Sequence, residues 1–255
     1  MNYTCGYWKN AKNLEEAQLQ KMELIARKLK LEKGMKVLDL GCGWGGFCKY
    51  LAESYGVSVV GVTVSDDGVK YAKNMCAHLP QVDIRLQDYR CMNEDEKFDR
   101  IVAVGLFEHV GHRNCRTFME LVDRCLVYDG IFLMQTIGVD NDCFPQAEPF
   151  LLKHILPNSM LPLPSEIARA SHDILNIEDW HNIGPHYDKT LLAWHSNSIN
   201  KWESIKDSFE KSHRFNRMWV FYLLMAAGLF RARKVHCWQI VFTKGLPQGY
   251  DSVRL

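Results

Sequence analysis

Apolar residues recur along the chain in two rhythms. Short runs rich in apolar residues occupy 36–40, 57–62, 98–104 and 131–137, and at 83–86 apolar and charged residues alternate. Between them the apolar positions fall three and four apart, as at Met22, Ile25, Ala26 and Leu29, the spacing of one helix face. The runs read as strands, and helices are expected after Asn13, at 45–55, from the 63–67 turn to about Ala77, and at 117–125. Asn13 with Glu16 resembles a capping box. Strand and helix alternate, which predicts an α/β fold with a doubly wound, mostly parallel sheet. Later, 173–183 and 237–243 read as strands and 189–212 and 214–232 as helices, while the aromatic 1–12 stretch reads as a loop.

Residues 138–172 break the alternation. Pro145, Pro149, Pro157, Pro162 and Pro164 stand among Phe150, Leu151, Leu152, Ile155, Leu156, Met160 and Leu161. A connection this long and apolar is an insertion over the sheet, either covering a sheet edge or walling an apolar substrate tunnel. With 255 residues, the whole chain, 1–255, fits one domain.

Ligands on doubly wound sheets bind beyond the carboxyl ends of the strands. Five segments fall there: 41–45, 63–67, 87–89, 107–108 and 135–138. They follow five different strands, so they can converge on one cleft. The first of them belongs to VLDLGCGWGGF at 37–47, a strand entering a glycine turn that opens a helix. Glycines admit positive φ and close approach of backbone to a ligand, and the helix start presents free N–H groups. Gly41-x-Gly43-x-x-Gly46 also satisfies the dinucleotide pattern. Asp39, two residues earlier, argues against that ligand, because a fixed carboxylate repels pyrophosphate at the helix N-terminus. It suits a cationic ligand bearing an ammonium and a sulfonium, which describes S-adenosylmethionine. A nicotinamide site and a purely structural turn are the alternatives.

Composition narrows the partners. The net charge of +1 gives no global field for nucleic acid. Nine cysteines without a C-x-x-C pair, and no signal peptide, read as reduced thiols of a cytoplasmic protein; no metal site is expected. The longest apolar run, 218–230, is too short to cross a membrane. Arg214 and Arg217 precede it, and Arg231 and Arg233 follow. It is a buried helix with solvated ends, or a helix that also lines a lipid site near phosphate head groups.

Several stretches carry a resemblance. MNYTCGYWKN at 1–10, VLDLGCGWGGF at 37–47, VVGVTVS at 59–65, LQDYR at 86–90, VGLFEHVG at 104–111, IEDWHNIGPHYDKTLLAW at 177–194 and FRARKVHCWQIVF at 230–242 line up in order. The sequence resembles the catalytic domain of the cyclopropane-fatty-acid synthases, with the mycolic acid cyclopropane synthases as relatives. The resemblance covers essentially the whole chain. Family members carry further sequence before the position of Met1, so this looks like a catalytic-domain fragment or a protein lacking that segment.

The resemblance implies a class I methyltransferase fold, S-adenosylmethionine as methyl donor, bicarbonate as base, and the cis double bond of a phospholipid acyl chain as acceptor. It implies a transient membrane surface, at the inner face of a cytoplasmic membrane, as partner; homo-oligomerisation is an option for the full-length protein. The positions matching the bicarbonate shell are Cys5, Glu108, Tyr187 and, through its backbone, Ile137. Gln135 stands where the family has histidine: its amide still donates a hydrogen bond but relays no proton. Gly68 stands where the family has glutamine. Glu108 beside an anion must be protonated through a raised pKa or accept the hydroxyl proton of bicarbonate. For the donor, the expected residues are Tyr3, Thr4, Asp39, Gly41, Gly43, Gly45, Thr63, Gln87 and Asp88, with Tyr3 and Trp8 offering cation–π contacts to the sulfonium.

Overall fold

The computed structural model describes residues 2–140, 149–209 and 212–255. Helix α1 (Leu14–Lys28) begins as its cap dictates: the Asn13 side chain accepts from the Glu16 N–H at 2.9 Å, and the Glu16 carboxylate accepts from the Lys12 N–H. The apolar runs become β1 (Lys36–Leu40), β2 (Ser58–Thr63), β3 (Val82–Leu86), β4 (Phe98–Val104) and β5 (Leu126–Gly138). Among these lie α2 (Gly46–Tyr55), α3 (Asp66–Met75) and α4 (Cys115–Cys125). The chain continues through α5 (Pro149–His154), α6 (Pro164–Ser171), β6 (Asn176–Asn182), α7 (Gly184–Ile205), α8 (Ser212–Arg231) and β7 (His236–Thr243).

The seven strands form one sheet in the order β3-β2-β1-β4-β5-β7-β6. The neighbours among β1–β5 pair parallel, and β7 runs antiparallel between β5 and β6. Both faces are covered, so the strands are apolar on both sides. Leu38 and Leu40 pack with Phe118 and Val122 of α4 on one face. Val37 packs with Ile25 of α1, Leu29 just after it and Leu51 of α2 on the other. Strand alternation therefore turns Asp39 toward the α1–α2 face. A third cluster joins the 5–7 loop to α7 and α8 through Tyr187, Leu191, Tyr222, Leu223 and Phe230.

Several boundaries differ from the sequence reading: the helix expected to run to 212 stops at Ile205, and the strand expected from 173 starts at Asn176. β5 starts at Leu126, because Phe98 pairs with Leu126 ahead of a register shift. α4 starts at Cys115 rather than 117. α7 starts at Gly184, not 189: Pro185 occupies its first turn, where a missing N–H costs nothing. Tyr187 is therefore a helical residue. The described part of the insertion packs in two directions. α6 covers the sheet side, with Ile167 and Ala170 in the cluster of α4, while Phe150, Leu151 and Ile155 pack toward α7 and α8. Pro145 lies outside the described residues.

Candidate functional site

Two cavities open beyond the carboxyl ends of β1–β4, and Gly41 lines both. The larger, about 430 Å³, has apolar walls from Val62, Val64, Leu106 and Val110, with Thr63, Gln87 and Asp88 as polar positions. The smaller, about 220 Å³, is lined by Tyr3, Thr4, Lys21, Asp39, Gly43 and Gly105 among others. The first suits a flat heterocycle with a hydrogen-bonding edge; the second suits a charged group. Asp88 caps the short turn at Tyr89–Cys91, and its carboxylate is shared with the Arg90 guanidinium, which holds its pKa below the usual range. The Gln87 amide donates to the Cys91 carbonyl at 2.9 Å.

The glycine turn divides its labour. Gly43 (φ +55°) faces open space in the smaller cavity. Gly45 (φ +77°) lines neither cavity: a Cβ there would stand 2.6 Å from the Ala72 Cβ, so this glycine lets the turn pack on α3. Gly68 does the same from the other side, since a Cβ would stand 2.8 Å from the Gly43 carbonyl oxygen. Trp8 also lines neither cavity, its indole N–H being given to Thr190 Oγ1 at 2.9 Å.

Asp39 is 3% exposed, and burial raises its carboxyl to about 6, against a thiol hydrogen bond from Cys48 and the Lys21 charge, which pull it down. Lys21 is equally buried and was absent from the sequence reading. Its Nζ donates to Thr4 Oγ1 at 2.9 Å, and burial lowers its pKa to about 8. The signal was available: Gln18, Lys21, Ile25 and Lys28 are spaced along one stripe of α1, so two lysines stand on its apolar face.

The expected base-holding residues meet beside β5. Glu108 sits in a single turn (Phe107–His109) after β4, pinned by the Met160 N–H donating to its carbonyl at 2.7 Å. Its Oε1 accepts from the Ile137 N–H at 2.6 Å, so that N–H, expected to face an anion, is used by the protein itself. Oε2 is buried without a hydrogen-bond partner among the described residues, the nearby Thr136 hydroxyl being given to the Ile137 carbonyl. Burial raises Glu108 to about 7, opposed by the backbone N–H of Ile137 and by the neighbouring Thr136 hydroxyl. Cys237 lies directly across from Ile137 on β7. Cys5 is fully buried near it, its thiol pointing to the Gly6 carbonyl at 3.3 Å. Tyr187 is buried against Phe230 (4.5 Å between ring centres) and Trp194, and burial raises its pKa. Gln135 is 2% exposed, and its side-chain carbonyl accepts from the Gln239 amide at 3.0 Å. Its backbone carbonyl accepts from Gly105, which lines the smaller cavity, so the two regions share a wall.

Tyr3 stands between the smaller cavity and the aromatic side chains of α7 and α8. Its ring is half exposed and stacks on Trp194 at 4.6 Å, while its hydroxyl donates to the Tyr222 hydroxyl at 3.1 Å. Farther along α8, a concavity of about 870 Å³ is lined by Phe150, Arg214, Arg217, Met218, Phe221 and Leu224. Phe221 and Leu224 are exposed. Arg231 is engaged elsewhere, making two 3.0 Å bonds to Asp188 of α7. No helix among the described residues is long and apolar enough to cross a membrane.

A sheet of this order, reversed only at β7, with a glycine turn after β1 and the cleft above it, defines the fold of the class I S-adenosylmethionine-dependent methyltransferases. Within that class, the chain belongs to the family described as mycolic acid cyclopropane synthetase, whose model matches residues 1–240. It is 48% identical over 254 residues to the cyclopropane-fatty-acyl-phospholipid synthase of Escherichia coli strain K12, covering 100% of this chain and 65% of that protein. The chain thus spans about two thirds of the length of that relative. The cyclopropane synthase MmaA2 from Mycobacterium tuberculosis superposes with a TM-score of 0.89 at 27% identity, covering 95% of this chain and 90% of that one. The mycolic acid cyclopropane synthase CmaA1 complexed with SAH and CTAB superposes with a TM-score of 0.87 at 30% identity and the same coverage.

Proposed function

We propose that this chain is the catalytic portion of a cyclopropane-fatty-acyl-phospholipid synthase. It takes a methyl group from S-adenosylmethionine, delivers it to a cis double bond of a phospholipid acyl chain, and closes a cyclopropane ring with bicarbonate as base. The observation that carries the reading is Glu108: a buried carboxyl with one oxygen held by the Ile137 N–H and the other without a partner among the described residues. Buried polar atoms are normally satisfied, so Oε2 fits a missing hydrogen-bond donor such as the hydroxyl of bicarbonate. The family match and the likeness to a synthase complexed with SAH and a long-chain ligand support the donor and the acyl acceptor.

The donor supplies an electrophilic methyl on sulfur. Thr63, Gln87 and Asp88 hold its nucleoside end, and Asp39, Gly41, Gly43, Tyr3 and Thr4 surround its amino-acid end. An alkene is a weak nucleophile, so the protein must align it and keep water out. The aromatic wall of Tyr3, Trp194, Tyr187 and Phe230 does both, and its ring faces favour the positive charge that develops on the acyl carbon. Bicarbonate supplies the proton acceptor for ring closure. Glu108 orients it, the Tyr187 hydroxyl and the Gln135 amide donate to it, and Cys5 with Cys237 closes the back of the corner.

The same reading makes Arg214 and Arg217, with Met218, Phe221 and Leu224, the face that meets an anionic bilayer, the cationic side chains toward phosphate and the apolar ones toward acyl chains. The enzyme works from the cytoplasm, peripherally, at the inner membrane face. A second reading follows from Gln135, which is tied to Gln239 and cannot pass on a proton: methyl transfer that ends without ring closure. Incubating unsaturated phospholipid vesicles with donor carrying a fully deuterated methyl separates the two. Ring formation gives a product that has lost its double bond and kept all but one of the methyl deuterons. Methylation with the alkene or another group modified supports the second reading, and no product despite donor binding overturns both.

A further inference from the structure

The smaller cavity carries two buried charges of opposite sign that do not pair with each other. Lys21 is 3% exposed, and its one side-chain hydrogen bond among the described residues goes to a neutral hydroxyl, Thr4 Oγ1. It makes no salt bridge there. An ammonium has three N–H donors, and burying one without an anion is expensive. Asp39 is as deeply buried, and its nearest recorded partner is the Cys48 thiol at 3.3 Å. Both residues line the same cavity, Lys21 from α1 and Asp39 from β1, together with Gly41 and Gly43.

A cavity with one fixed cation and one fixed anion, each lacking its counter-ion, is complementary to a zwitterion. We propose that Lys21 binds the α-carboxylate of the donor's amino-acid end, while Asp39 faces its α-ammonium. The proposal rests on reading this cavity as part of the donor site. It gives Lys21 a role in donor recognition rather than in the chemistry at sulfur. It explains why α1, otherwise an ordinary amphipathic helix, keeps a lysine on its buried stripe: the ligand completes the pair. The flexible stem and compact charge of lysine suit a carboxylate approached end-on through a narrow space, with Thr4 fixing the ammonium. Bicarbonate, the base proposed for the Glu108 corner, is an anion that Lys21 could also attract, so the test must separate the two.

Calorimetry on the full chain with three probes does so: S-adenosylhomocysteine, its decarboxylated analogue, and 5′-methylthioadenosine, which lacks the whole amino-acid end. The intact protein should prefer S-adenosylhomocysteine to the decarboxylated analogue by about 10- to 100-fold, the usual worth of a hydrogen-bonded charge. Lys21→Met should abolish that preference while leaving the affinity for 5′-methylthioadenosine unchanged, which also reports that the variant is folded. Lys21→Arg should keep part of the preference, and added bicarbonate should not weaken S-adenosylhomocysteine binding to the parent. The proposal is overturned if Lys21→Met lowers all three affinities alike, if it leaves the preference intact, or if bicarbonate competes at this position. If none of the probes binds the parent protein, the donor-site reading itself falls, and this inference with it.

Discussion

Lys21 and Lys28 lie two turns apart on the same face of α1, both buried and both with an ammonium pKa that burial lowers to about 8. Their surroundings differ in kind. Lys28 is closed in by protein: Asp179 stands 3.4 Å away, and His181 Nδ1 accepts from it at 3.2 Å. Asp179 in turn is gripped by Arg254, whose Nη2 lies 2.6 Å from Oδ1, and by the Ser252 hydroxyl. Burial and the neighbouring cations push His181 down to about 3, so it stays neutral and can accept. This network clasps the last residues of the chain to the start of the fold. Lys21, by contrast, ends at a hydroxyl and a cavity. A buried cation with a permanent counter-ion is an internal fastener. One that borders a cavity without a counter-ion marks where a ligand completes the structure. Glu108 shares with Lys21 an incomplete set of partners among the described residues, one carboxyl oxygen being satisfied and the other not.

The comparison is sharpest in stability. Asp179→Ala strands Lys28 and releases the tail, and should cost about 3–5 kcal/mol in urea denaturation. Lys21→Met exchanges an uncompensated charge for an apolar side chain and should leave stability unchanged or raise it. Equal losses would erase the distinction between the two ends of α1.

The next largest effect concerns Glu108. Its folded-state pKa, about 7, lies above the ordinary 4.5. As pH rises between these values the unfolded chain gives up its proton first, so the folded state binds more protons and stability falls with pH. Above pH 7 the burden levels off at about 3 kcal/mol. Glu108→Gln should therefore be more stable than the parent above pH 7 and equal to it near pH 4, with turnover lowered by about 100-fold. A variant less stable at every pH would mean that Glu108 is a structural residue like Asp179.

At the glycine turn, Gly43→Val places a β-branched residue at φ +55°, costing about 1–2 kcal/mol in backbone strain. Calorimetric binding of S-adenosylhomocysteine should disappear while the circular dichroism stays native; unchanged affinity would remove the turn from the donor site. The smallest effect belongs to the surface. Arg214→Glu and Arg217→Glu should each weaken binding to anionic vesicles by about 1 kcal/mol at low salt, with the difference fading as salt screens it. Co-sedimentation indifferent to both changes would turn this face back into an ordinary solvated helix end.

Much of this was legible in the chain because it is written in local chemistry. The β1 run and its glycine turn, the Asn13–Glu16 cap and the strand–helix alternation each depend on neighbours in sequence, and each formed as expected. The residues at the carboxyl ends of β1–β4 converged because topology leaves them no other place. What escaped was set by partners distant in sequence. Gly45 serves Ala72 rather than a ligand, and Trp8 serves Thr190. The Ile137 N–H is consumed by Glu108, 29 residues away, and Arg231 by Asp188. Lys21 was hidden by the rule that lysines face water; only its position on the buried stripe of α1 contradicted that rule. The start of α7 was missed because Gly184 and Pro185 look like a turn and are instead a helix beginning.

A base held at the Glu108 corner makes ring closure depend on both bicarbonate and the Glu108 carboxyl. Cyclopropane formation on unsaturated phospholipid vesicles, followed by mass spectrometry in bicarbonate-depleted and bicarbonate-supplied buffer for the parent chain and for Glu108→Gln, tests this dependence. The parent's ring formation should fall on depletion and return on supply. Glu108→Gln should stay low in both while S-adenosylhomocysteine binds it normally. A parent indifferent to bicarbonate, together with a Glu108→Gln variant that turns over at the parent's rate, would contradict it.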